Sequence, residues 1–214
     1  MEKKISIFYL LFIIVLLGFT SCDDDDETAE LIPLIEETAT DIPADPNRAG
    51  DFTFFSFENG IVASSLSATT SWDIAFGGTA ILTNGGSSGP GQGEALVVKG
   101  IFENITQIPD EGFFVDTEAS PAIQGRDGQI EDRPGWYNYT GEAPTGPKHA
   151  VLTVPGRVII VKTAEGNYAK MEILSYYEGN PNTTTEEFEN LQTRPASRHY
   201  TFRYVVQKND TKTF

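Results

Sequence analysis

The chain has 214 residues, with 31 acidic against 15 basic side chains and a formal net charge of −16. No Lys/Arg cluster interrupts that excess, so phosphate backbones would be repelled and the composition argues against nucleic-acid binding. Two histidines and one cysteine are too few donors for the usual His/Cys metal centre.

The first 21 residues read as a secretory signal. Lys3 and Lys4 give a positive start, Ile5 to Phe19 is an uncharged apolar run, and Thr20 and Ser21 are small. A 15-residue helix is about 22 Å long, short of a hydrocarbon core of roughly 30 Å, so a stable span is the weaker reading. Cys22 is the only cysteine and follows the small residues directly. It cannot form an internal disulfide, and its position predicts lipidation. The stretch Gly18-Phe19-Thr20-Ser21-Cys22 resembles a loose lipobox, with Phe19 where Leu is usual. The acids Asp23 to Glu27 resemble the surface-export signal of Bacteroidota lipoproteins. The expected location is therefore the outer membrane, lipid-anchored and facing out, with no other membrane contact.

Residues 22–48 carry ten acids, one base, three prolines and no aromatic residue. Such a segment buries too little to offset chain ordering, so it reads as a flexible acidic tether of roughly 28 Å mean span. Leu31, Ile32, Leu34 and Ile35 are its exception, suited to a short strand or weak docking. Residues 49–214 are expected to form one domain.

That domain reads as all-β and antiparallel, with at most one or two short helices. Phe52–Phe57, Trp72–Phe76, Glu94–Phe102 and Phe113–Val115 are short apolar runs bounded by Gly, Asn or Pro. Ala95 to Val98 is continuous, which predicts a strand buried on both faces. Arg157–Thr163 and Tyr168–Tyr177 flank Ala164-Glu165-Gly166-Asn167, a hairpin pattern. In the last run Tyr200, Phe202, Tyr204 and Val206 share one face and His199, Thr201, Arg203, Val205 and Gln207 the other. Thr184 to Leu191 suits a short helix with Thr184 and Glu187 as a capping box.

The chemistry-bearing candidates are sparse. Thr83 to Gly93 holds five glycines but is followed by neither Gly-Lys-Ser/Thr nor a helix pattern, so a mobile or tightly turned loop is expected rather than a phosphate cradle. Asp127 to Asp132 lacks calcium-loop spacing and reads as a solvated loop. No serine sits in a nucleophile elbow, and the chain carries no enzyme signature. Met171 alternates with Ala169 and Ile173 and reads as core. His199 lies on the polar face of the last strand. His149 lies at a loop-to-strand junction, where ligands are often held.

An ordered set of stretches carries a family resemblance. They are Phe54-Phe55-Ser56-Phe57, Ser71-Trp72-Asp73-Ile74-Ala75-Phe76, Thr83-Asn84-Gly85 with Ser88-Gly89 and Gly91, and Gly135-Trp136. Arg157-Val158-Ile159-Ile160-Val161, Glu165-Gly166-Asn167-Tyr168-Ala169-Lys170 and Tyr200-Thr201-Phe202-Arg203-Tyr204 complete it. In this order, over roughly residues 52–207, the chain resembles the HmuY family of haem-binding surface lipoproteins from Bacteroidota. The resemblance implies an all-β domain that grips haem between two protruding loop regions, with two axial His or Met side chains on the iron. Some members carry a ligand His shortly after the Trp that matches Trp136. Here Tyr137-Asn138-Tyr139-Thr140-Gly141 stands there, with neither His nor Met, and 117–134 also lacks both.

Two readings follow. In one, the protein acquires haem, free or from haem-carrying proteins, with His149 on the iron and Trp136, Tyr137 and Tyr139 lining an aromatic pocket. In the other, the same scaffold has lost haem ligation and is a surface binding module for another ligand or a partner protein. Neither is enzymatic.

Overall fold

The computed structural model describes residues 34–208 and 211–214. The signal and Cys22 lie outside the described residues. Eleven strands follow in order: β1 (Ile35–Pro43), β2 (Thr53–Ser56), β3 (Gly60–Val62), β4 (Ile74–Gly77), β5 (Ala80–Thr83), β6 (Glu94–Lys99), β7 (Tyr137–Tyr139), β8 (Val151–Thr153), β9 (Arg157–Lys162), β10 (Tyr168–Tyr177) and β11 (Ser197–Gln207). One helical turn, α1 (Glu186–Glu189), sits between β10 and β11. Every strand pairing is antiparallel, so the all-β expectation holds.

A five-stranded sheet in the order β1-β11-β10-β9-β6 faces a four-stranded sheet in the order β3-β2-β4-β5. The interface is aromatic because the alternation of β11 puts Tyr200, Phe202 and Tyr204 on its inner face. Phe76 of β4 meets Tyr200 at 4.6 Å and Phe202 at 5.4 Å between ring centroids, and Phe55 of β2 meets Phe202 edge-on at 5.3 Å. Met171 is fully buried in this core, as its alternation predicted. The hairpin of β9 and β10 has Lys162 opposite Tyr168, in the register the Gly-Asn turn implies.

The outer face of the five-stranded sheet is covered too, which the period-two pattern of β11 did not show. Phe102, Val158 and Val205 form a second cluster with Phe214 against it. Lys170 is 5% exposed there, its Nζ donating to the carbonyls of Phe102 and Ile105 at 3.0 and 2.8 Å.

Four expectations change. The segment 22–48 is not tether throughout: Ile35 to Pro43 pairs along β11, Ile42 and Ala44 are buried, and the domain begins well before Ala49. A bulge at Asp41 (φ +53°) lets this strand carry its acids outward while returning Ile42 to the core. Ala95 to Val98 is an edge strand, with Ala95 and Val97 buried and Leu96 and Val98 half-buried. Asp127 is no solvated side chain: it accepts from Gly135 N at 2.8 Å and pairs with Arg157 at 3.0 Å. The short helix starts one residue later than expected, and Thr185 rather than Thr184 caps it, accepting from Phe188 N.

Candidate functional site

The sequence candidates divide between core and rim. Trp136 is 1% exposed and packs on Tyr137, Tyr200 and Tyr176 at 4.6, 5.3 and 5.9 Å. It is a core residue and presents no face to a ligand, which corrects its placement in an aromatic pocket. Its Nε1 is buried without a hydrogen-bond partner. Tyr137 is half-buried, with its hydroxyl donating to Thr79 Oγ1 at 3.4 Å. His199 is half-buried on β11, its Nδ1 3.1 Å from Ser197 O.

Tyr139 and His149 are the two candidates that the fold brings together in the open. β7 and β8 form a two-stranded hairpin with Tyr139 opposite Val151. Its loop closes on itself: His149 N donates to Gly141 O at 2.8 Å and Ala150 N to Thr140 Oγ1 at 2.9 Å. His149 sits in the left-handed region (φ +50°), which turns its ring back across the hairpin end. Tyr139 Oη lies 2.9 Å from His149 Nδ1, and Glu142 Oε1 lies 2.7 Å from His149 Nε2. The hydrogen bond and charge of His149, then those of Lys148, hold the Glu142 carboxyl below its ordinary range.

Cations gather at this rim on an otherwise acidic domain. Lys148 is 3.5 Å from Glu142, and the Arg126 guanidinium lies 5.9 Å from the Tyr139 ring centroid. Arg194 donates to Lys148 O at 2.9 Å and to Phe188 O at 2.7 Å, tying the loop to α1. Sequence reading missed Arg126, Glu142 and Arg194, since nothing in their local patterns marks them; only the hairpin closure and the chain's return at 124–127 bring them near His149.

The glycine-rich segment is tightly turned, as one of its two expected forms. Asn84 is fully buried; its Nδ2 donates to Thr69 O and Trp72 O, and its Oδ1 accepts from Gly91 N. The glycines let the chain wrap that side chain: a Cβ at Gly89 would sit 2.1 Å from Asn84 Oδ1. Its outer side borders an open groove of roughly 630 Å³ with Phe52, Phe54 and Leu82, which contains neither histidine nor methionine. Among the described residues no three His, Cys, Asp or Glu side chains form a metal centre, and no helix is long and apolar enough to cross a membrane.

The family model described as HmuY protein matches residues 49–189. The fold is similar to the apo HmuY analogue of Tannerella forsythia, at 17% identity and TM-score 0.52, covering 84% of this chain and 100% of that one. Apo PinO from Porphyromonas gingivitis is also similar, at 15% identity and TM-score 0.48, covering 82% of this chain and 98% of that one. No curated protein matches the sequence.

Proposed function

The chain belongs to the HmuY family, and from that premise we propose that it is a non-enzymatic surface lipoprotein that takes up haem at the rim of Tyr139 and His149. The observation that carries this is the exposed Tyr139–His149 pair, with Tyr139 Oη 2.9 Å from His149 Nδ1 at the end of one hairpin. Tyr139 Oη meets the ring at Nδ1 and orients it. Nε2 is paired with Glu142, whose side chain is 72% exposed and also lies 3.5 Å from Lys148. Haem iron takes imidazole nitrogen or Tyr oxygen, so the pair supplies both donor types. Lys148 and Arg126 supply cations for the porphyrin carboxylates. With one histidine at the rim, coordination is expected to be weak or five-coordinate.

A second reading, a binding module for another ligand or partner, is favoured by one observation: both His149 nitrogens already have partners. Titrating the protein with haemin separates the two. A Soret shift that is lost or altered in His149→Ala and little changed in His199→Ala supports haem uptake. An unchanged Soret band in the wild type rejects haem and leaves the module reading.

Anchoring through Cys22 belongs to the same proposal, together with the signal of residues 1–21 and the short acidic tether that follows. Cys22→Ala should yield released protein or unprocessed precursor. Its retention in the membrane fraction at wild-type level after cleavage would exclude the lipid anchor.

A further inference from the structure

We infer that the end of the sandwich at the β2–β3 and β9–β10 turns is a site for a divalent cation of the Ca²⁺ type, held between Asp73 and Glu58 with Thr163 Oγ1 in its shell. The β2–β3 turn, the residues entering β4 and the β9–β10 turn enclose a cavity of roughly 60 Å³ there, lined by Ser56, Glu58, Asp73, Thr163 and Glu165 among others.

Three features of the cavity point to a cation. Asp73 is 7% exposed, and each of its carboxylate oxygens accepts one backbone N–H, from Phe57 at 2.9 Å and Ala164 at 3.1 Å. The Ser56 hydroxyl also bonds to this carboxylate, which still keeps a free lone pair, and no cationic side chain pairs with Asp73 among the described residues. Thr163 is 5% exposed, and its Oγ1 has no hydrogen-bond partner. Glu58 stands on the same cavity, bound on one oxygen by Lys208 at 2.6 Å.

Burial, and then the charge of Glu58, push the Asp73 carboxyl above its ordinary value. A trapped water would satisfy Thr163 but leave that carboxylate uncompensated. A cation answers both. The donors are all oxygen, which suits a hard ion. They are two carboxylates and hydroxyls with room for water, a set that the irregular six- to eightfold shell of Ca²⁺ accepts more readily than the strict octahedron of Mg²⁺. So few charges imply a dissociation constant on the order of 10⁻⁴–10⁻³ M.

The test is thermal unfolding of the full chain in CaCl₂ against NaCl at matched ionic strength. A saturable rise in Tm is expected. Glu58→Gln should move its midpoint at least tenfold higher. Thr163→Val should also lose the rise, yet its metal-free Tm should equal or exceed wild type, because the orphan hydroxyl is gone. Glu111→Gln, an exposed acid elsewhere, should leave the rise unchanged. Terbium luminescence excited through Trp72, next to Asp73 in the chain, gives a second reading of the same occupancy. No saturable rise in the wild type overturns the site. So does a wild-type midpoint in either Glu58→Gln or Thr163→Val.

Discussion

Asn84 shows how much one buried amide can organise. Three backbone groups from two chain segments depend on it, and a buried group left unsatisfied costs about 1–3 kcal/mol. Asn84→Ala should therefore lower stability by about 3 kcal/mol or more, read from urea unfolding midpoints. Gly89→Ala should approach the same loss, because its Cβ cannot share space with Asn84 Oδ1. A cost near zero in both would mean that the loop is not built around that side chain. Sequence reading could see that the glycines serve a turn, since the phosphate-loop pattern is absent. It could not see what they wrap, because Asn84 finds Thr69 and Trp72 only in the folded chain. The same limit applies to Trp136 and Tyr139. They stand three residues apart and are chemically alike, yet one is core and the other rim.

At the scale of elements, β1 is where local composition misled. Its acids and flanking prolines read as solvated tether, but a strand at a sheet edge needs only one apolar position in two and tolerates charge on its open side. Ile42 and Ala44 supply the buried positions, and Ala44 also bonds Arg198 O and Gly78 N at 2.8 and 2.9 Å. A chain beginning at Ala49 should lose stability relative to one beginning at Leu34. Ile42 alone contributes about 1.5–3 kcal/mol by burial, and the bared edge of β11 should promote aggregation. Urea midpoints and light scattering check both. Equal behaviour of the two chains would restore the boundary at residue 49. Thr185→Ala should cost about 1 kcal/mol through the lost cap on α1, while Thr184→Ala should cost less.

For the molecule as a whole, acids act as staples as well as solvating charge, and this sets the response to pH. Burial raises the Asp127 carboxyl, but the Gly135 N–H and the Arg157 guanidinium outweigh it and hold the group below its ordinary value. Asp45 is held down likewise, with hydrogen bonds from Ala49 and Gly50 and the charge of Arg198 outweighing burial. A carboxyl lowered on folding stabilises above its unfolded value and loses that contribution as pH falls through the folded one. Stability should thus fall as pH drops below about 4. Asp73 has the opposite sign: its raised carboxyl favours the fold more as pH drops through the folded value towards the unfolded one. Asp127→Asn should flatten the acid limb and Asp73→Asn should steepen it, measured as urea midpoints from pH 3 to 7. By itself the sequence determined the β class, the β9–β10 hairpin, the inner face of β11 and the family, because period-two alternation and turn residues act over a few positions. It also singled out His149. Only the tertiary structure decided that Tyr139 and Glu142 hold that ring, that Trp136 is core, that β1 joins the sheet, and that Asp73, Glu58 and Thr163 share one cavity. Those outcomes depend on segments far apart in the chain, whose meeting is set by packing and hydrogen-bond demand rather than by local pattern.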